Sequence, residues 1–181
     1  AEIASCYSMT EPQAGADPGE FLCTATRDGN EWVINGEKWF ASHARFSAFL
    51  LVMVVTDTEA PIHQGASIFL VEQGTPGMDI IRNSAVGPYV EQGDGVHAYI
   101  SFKDCRVPAH NLLGDEGQGF HVAQTRLGGG RVHHAMRTVG VIRKALDMMC
   151  ERAVSRRTKG ELLADKQMTQ EKIADAYTMM M

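Results

Sequence analysis

The runs Phe21-Leu22-Cys23-Thr24-Ala25-Thr26 and Glu31-Trp32-Val33-Ile34, joined by Asp28-Gly29-Asn30, decide the fold of this chain. Glycine in the D-G pair supplies the positive φ of a tight hairpin turn, and β-prone residues flank it on both sides. Asn35-Gly36 reads as a second turn before Glu37-Lys38-Trp39-Phe40-Ala41-Ser42. Working outward, Phe49 to Val55, Ala66 to Glu72, Met78 to Arg82 and Gly95 to Lys103 continue the pattern. Short strands at this spacing predict an antiparallel β-barrel or sandwich. Val107-Pro108 closes it, because proline cannot extend a ladder. A β domain is therefore expected over residues 1–110.

After Gly119 the period changes. Val132, Met136, Val139, Ile142, Leu146, Met149 and Ala153 recur at three- and four-residue intervals, a helical stripe. Gly128-Gly129-Gly130 interrupts it at a cost of about 3 kcal/mol relative to alanine, which predicts a break, a distortion or a close packing contact. Gly160 is expected to cap the long helix, and a second helix is expected from about Asp165 to the end. Residues 111–181 then form the first two helices of a truncated antiparallel four-helix bundle, and the fold class is α+β. The chain starts without methionine and finishes on Met179-Met180-Met181 with no helix stop, which reads as two cut edges.

Composition narrows the function. The 181 residues are 44% hydrophobic and 22% charged, as in ordinary globular proteins. A net charge of −5 gives no basic field for nucleic acid or anionic membrane. The most apolar run, Ala48 to Val55, is too short to span a bilayer, and no secretory leader opens the sequence. Cys6, Cys23, Cys105 and Cys150 are widely spaced, which favours reduced thiols in an intracellular protein over a disulfide frame or zinc site.

The loop Tyr7-Ser8-Met9-Thr10-Glu11-Pro12-Gln13-Ala14-Gly15-Ala16-Asp17 joins a hydroxyl, a carboxylate, a proline and small residues. Such loops present backbone N–H groups to an acceptor-rich ligand, although Thr10 and Glu11 also suit a simple loop cap. Together with Asn35 to Ser42, and with Phe102-Lys103-Asp104-Cys105-Arg106-Val107-Pro108 followed by Asn111-Leu112-Leu113-Gly114 and Glu116-Gly117-Gln118-Gly119-Phe120, this loop resembles the ordered signatures of the acyl-CoA dehydrogenase family. Gly130-Arg131-Val132-His133-His134-Ala135-Met136-Arg137 is similar to the subgroup containing longer multidomain members.

The resemblance implies a β-barrel middle domain between helical domains, with FAD bound where barrel and helices meet. It also implies loss of a proton from the acyl Cα and of a hydride from Cβ to flavin N5. By the same resemblance Tyr7, Met9 and Thr10 line the isoalloxazine, with Thr10 at its pyrimidine edge, and Gly15 is a further cofactor-binding residue. Ser42 reaches toward N5. Phe40 replaces the usual stacking tryptophan; neighbours on a strand face opposite sides, so only one of Trp39 and Phe40 can stack. Both could equally be core. Arg131 and Ala16 fall at CoA contacts. Arg156, Thr158 and Gln167 fall where the family holds the FAD of a neighbouring subunit, so a homodimer or homotetramer is implied. An arginine fork suits a pyrophosphate, but Arg156 could instead complement a helix dipole. An electron-transfer flavoprotein is the implied redox partner. The implied compartment is the bacterial cytoplasm, or the mitochondrial or peroxisomal matrix in a eukaryote.

Three departures from the family pattern stand out. Ala16 replaces a serine, Lys159 an aromatic residue, and no carboxylate matches the family's catalytic base, so an inactive fragment is expected. His133 and His134 project about 100° apart on a helix and do not make a metal pair. Two other readings remain: a non-catalytic binding or oligomerisation module, and an acyl-CoA oxidase that uses oxygen.

Overall fold

The computed structural model describes residues 3–84 and 96–181. The chain forms two compact units, Ala1–Thr125 and Arg126–Met181. Among the described residues the first is built on seven strands: β1 Ser5–Ser8, β2 Thr24–Asp28, β3 Glu31–Ser42, β4 Phe49–Val55, β5 Ala66–Glu72, β6 Met78–Ser84 and β7 His97–Pro108. The expected start of the last strand at Gly95 lies outside the described residues. The sheet order is β1-β4-β2-β3-β7-β6, with β5 also on β4. Hairpin-linked neighbours pair antiparallel, whereas β1 joins β4 in parallel and β2 meets β4 through one parallel pair, Thr24 with Val55. These junctions at β4 curl the sheet into a half-barrel.

The D-G hairpin forms as expected. Asp28 pairs with Glu31, and Gly29 takes the positive φ of 61°. Asn35-Gly36 does not turn. The twelve residues of β3 run straight through it, because β7 offers a continuous partner from Pro108 to His97. Gly36 marks a register shift at φ 136°, where a Cβ would lie 2.6 Å from the Cys23 Cα. Its glycine serves close strand approach rather than reversal.

β4 and β5 have near-continuous apolar sequences because both of their faces are covered. Leu50, Val52, Val54, Phe69 and Val71 pack with Trp32, Ile34, Ile100 and Phe102 on one side. Met53, Val55 and Ile68 pack with Phe21 and Ala123 on the other. Each such side chain contributes roughly 1.5–3 kcal/mol on burial. No disulfide joins the four cysteines.

After the short helix α1, Ile62–Gly65, in the first unit, a long helix α2 covers Gly119–Ser155 and a second, α3, covers Gln167–Met180. Two expectations fail here. Helix α2 passes through Gly128, Gly129 and Gly130 without interruption, and a Cβ at any of them would meet nothing within 4 Å. Cooperative propagation over 37 residues overrides three weak helix formers. Gly160 does not cap the helix, which ends at Ser155. Instead β8 Arg157–Thr158 and β9 Glu161–Leu162 form a small hairpin, with Lys159 at φ 51° and Gly160 at φ 87° in its turn. Two left-handed residues in succession make the primed turn that matches strand twist. Within the second unit, Leu146, Cys150, Ala153, Ile173, Ala174 and Tyr177 line an apolar cleft of about 480 Å³. No described helix is long and apolar enough to cross a membrane.

Candidate functional site

The loop after β1 folds back on itself through reciprocal 3.2 Å hydrogen bonds between Glu11 and Ala14 backbones. Its anchor is the Glu11 carboxylate, which is almost fully buried. Glu11 accepts from the Leu22 N–H at 2.7 Å, the Cys23 N–H at 3.2 Å and the Gln13 amide at 2.7 Å. It also meets Lys38 Nζ at 2.7 Å, with side-chain exposures of 0% for Lys38 and 1% for Glu11. The Lys38 ammonium donates in addition to the Met9 carbonyl at 2.8 Å and lies 4.3 Å from the Phe21 ring centroid. Burial pulls the Lys38 pKa below its ordinary value, partly countered by the neighbouring acidic groups. Burial likewise pushes the Cys23 thiol up to about 12 and the Cys105 thiol to about 11.

Thr10 follows directly. Its carbonyl accepts from the Trp39 N–H at 2.8 Å. Its own N–H and hydroxyl have no partner among the described residues, and the residue is only half-buried. Tyr7 and Met9 are half-buried against the second core cluster. Gly15 and Ala16 are exposed, with open space where a Gly15 Cβ would stand.

On β3, Trp39 and Phe40 do not face opposite sides. Phe40 has φ 56° within a register shift, and this twist brings the two rings into a stack at 4.8 Å and 6°. Trp39 is braced by its N–H to Ser84 Oγ at 3.2 Å, by the Tyr99 ring edge and by Arg82. Phe40 is 53% exposed. A positive φ on an aromatic residue is uncommon and clusters at functional sites. Ser42 Oγ lies 2.9 Å from His97 Nδ1 across the β3–β7 pairing. The structure thus brings Thr10 against Trp39, with Phe40 and Ser42 next along the same strand.

In the second unit Arg131 is exposed on α2, and with Arg126, Leu127, Gly130 and His134 it lines a pocket of about 370 Å³. Arg156 is exposed just past the end of α2, Thr158 is half-buried on β8, and Gln167 is exposed at the start of α3. No group of metal-ligating residues occurs among the described residues, and the His133 and His134 rings meet edge-on.

Sequence reasoning missed Lys38 and His97. Lys38 had a signal: it shares strand parity with the buried Trp32 and Ile34, so a lysine stood on a core-facing position. His97 had none, since only the register places it opposite Ser42.

A curled sheet followed by a long helix and a returning helix defines the middle and C-terminal parts of an acyl-CoA dehydrogenase. Residues 6–105 match the family model of the acyl-CoA dehydrogenase middle domain, and residues 117–180 that of the C-terminal domain; the chain belongs to this family. It is 44% identical over 158 residues to human acyl-CoA dehydrogenase family member 11, covering 85% of this chain and 20% of that protein. Acyl-CoA dehydrogenase from Geobacillus kaustophilus superposes with a TM-score of 0.83 at 30% identity, over 99% of this chain and 47% of that one. Butyryl-CoA dehydrogenase from Megasphaera elsdenii gives 0.81 at 28% identity, over 99% and 46%. The chain therefore spans a fifth of the human relative and just under half of these bacterial enzymes.

Proposed function

We propose that this chain is the central part of an FAD-dependent dehydrogenase that introduces an α,β double bond into an acyl-CoA thioester. The observation that carries this is Thr10: two donors without a partner among the described residues, on a half-buried residue whose carbonyl is held by the Trp39 N–H, one residue before the exposed Phe40. This donor set fits a flat, acceptor-rich flavin edge. Bound FAD would supply the hydride acceptor, chemistry that side chains lack. The chain's own residues would bind and orient. The Thr10 N–H and hydroxyl act as fixed dipoles for charge that grows during reaction. Phe40, backed by Trp39, covers the ring; Tyr7, Met9 and Gly15 complete that wall. Ser42, oriented by His97, offers a hydroxyl. Arg156, Thr158 and Gln167 would hold the pyrophosphate side of FAD in a second copy of the chain, within a homodimer or homotetramer. Arg131 and the Ala16 backbone would meet CoA. An electron-transfer flavoprotein would receive the electrons, in the bacterial cytoplasm or a mitochondrial or peroxisomal matrix. No carboxylate described above is proposed as the base, so the chain alone is expected to bind without turning over.

The test is gel filtration of the chain with FAD, followed by its visible spectrum. A co-eluting flavin band is the expected result. A colourless protein would remove FAD binding from the reading of this chain, and bleaching by an acyl-CoA would refute the missing base.

A further inference from the structure

We infer that Lys38 is a positioning residue that aims the Thr10 N–H at its ligand, a reading that rests on the function proposed above. An apolar side chain would fill the same buried slot without the desolvation cost of an ammonium. What Lys38 adds is a hold on a carbonyl: its Nζ donates to the Met9 oxygen at 2.8 Å while Glu11 neutralises it at 2.7 Å. In a planar trans peptide the C=O and the following N–H point in opposite directions. Capture of the Met9 carbonyl therefore turns the Thr10 N–H away from Lys38. One peptide further on, the Trp39 N–H captures the Thr10 carbonyl at 2.8 Å. Two successive peptides are clamped by adjacent residues of one strand, and the N–H between them takes no acceptor among the described residues.

The charge has a second effect. A carbonyl that accepts from an ammonium polarises its own peptide and makes the attached N–H a stronger donor. Glu11 cancels the net charge and ties the assembly to the Leu22 and Cys23 N–H groups. The loop, the segment that leads into β2, and β3 are thereby locked as one piece behind the donor. A pair that served only packing would give the Thr10 N–H no defined direction.

The experiment follows the Thr10 amide resonance of the ¹⁵N-labelled full chain during titration with FAD. It is repeated on Glu11→Gln/Lys38→Met, which removes both charges and keeps an acceptor for the Leu22 and Cys23 N–H groups. Near-ultraviolet circular dichroism checks that this variant is folded. The expected result is a saturable shift of the wild-type Thr10 amide. In the folded variant, FAD binding should weaken roughly tenfold or more, the scale of one charge-assisted hydrogen bond, with an altered flavin absorption envelope. Equal affinity and an equal envelope in both proteins would overturn the inference and leave the FAD reading standing. So would FAD binding to the wild type that leaves the Thr10 amide unmoved. A wild type that binds no FAD overturns both. Should the variant not fold, the wild-type amide response alone decides, in the same two directions.

Discussion

Glu11 and Lys38 show how much one buried pair can organise. Removing a single partner leaves an uncompensated charge, so Lys38→Met is expected to destabilise the chain by about 3–5 kcal/mol, measured by urea unfolding. A loss under about 1 kcal/mol would mean that the pair is not buried as described. The neighbouring thiols carry a pH signature. A thiol in the unfolded chain ionises near 9.0, whereas Cys23 in the fold holds its proton to about 12 and Cys105 to about 11. The folded state therefore binds more protons above pH 9, and the stability these thiols contribute, complete below that pH, is lost as pH rises toward 12. Alkylation at pH 8.5 should modify the half-buried Cys150 first and spare Cys23 and Cys105. Rapid native labelling of Cys23 would contradict this.

Among the elements, β3 and α2 differ in what their glycines do. Gly36 combines positive φ with a 2.6 Å approach to the Cys23 backbone. Gly36→Ala is expected to cost more than about 2 kcal/mol, through steric clash and backbone strain together. Gly129 has neither constraint, so Gly129→Ala is expected to raise the thermal midpoint of the chain, by the equivalent of about 1 kcal/mol of helix propensity. Calorimetry of the two variants, read side by side, checks both signs. Sequence treated Asn35-Gly36 as a turn and the glycine triplet as a break, a distortion or a close packing contact, because both are local signals. Each was overridden by something non-local or cooperative: a full-length partner strand in one case, helix propagation in the other. Gly160 was misread for the same reason, since the pairing of Arg157–Thr158 with Glu161–Leu162 is what turns a cap into a hairpin.

At the scale of the whole molecule, Val132, Met136, Val139 and Ile142 stand on α2 with exposures of 61, 70, 53 and 41%. An apolar row of this size is unusual on a free surface. Sedimentation is expected to show self-association, and Met136→Glu with Val139→Glu should shift the chain toward monomer; a wild-type monomer at high concentration would sink the oligomer reading. The sequence by itself determined the strand runs, the Asp28-Gly29 hairpin, the long helix and the family, because periodicity, turn chemistry and ordered motifs are local properties of the chain. It also offered Thr10, Phe40 and Ser42 as candidate flavin contacts, a role that stays a proposal. Only the tertiary structure decided that Lys38 is buried against Glu11, that Phe40 stacks on Trp39, and that His97 faces Ser42. Those outcomes depend on strand register and on a positive φ imposed within a β-bulge, and both are set by pairing between segments far apart in sequence.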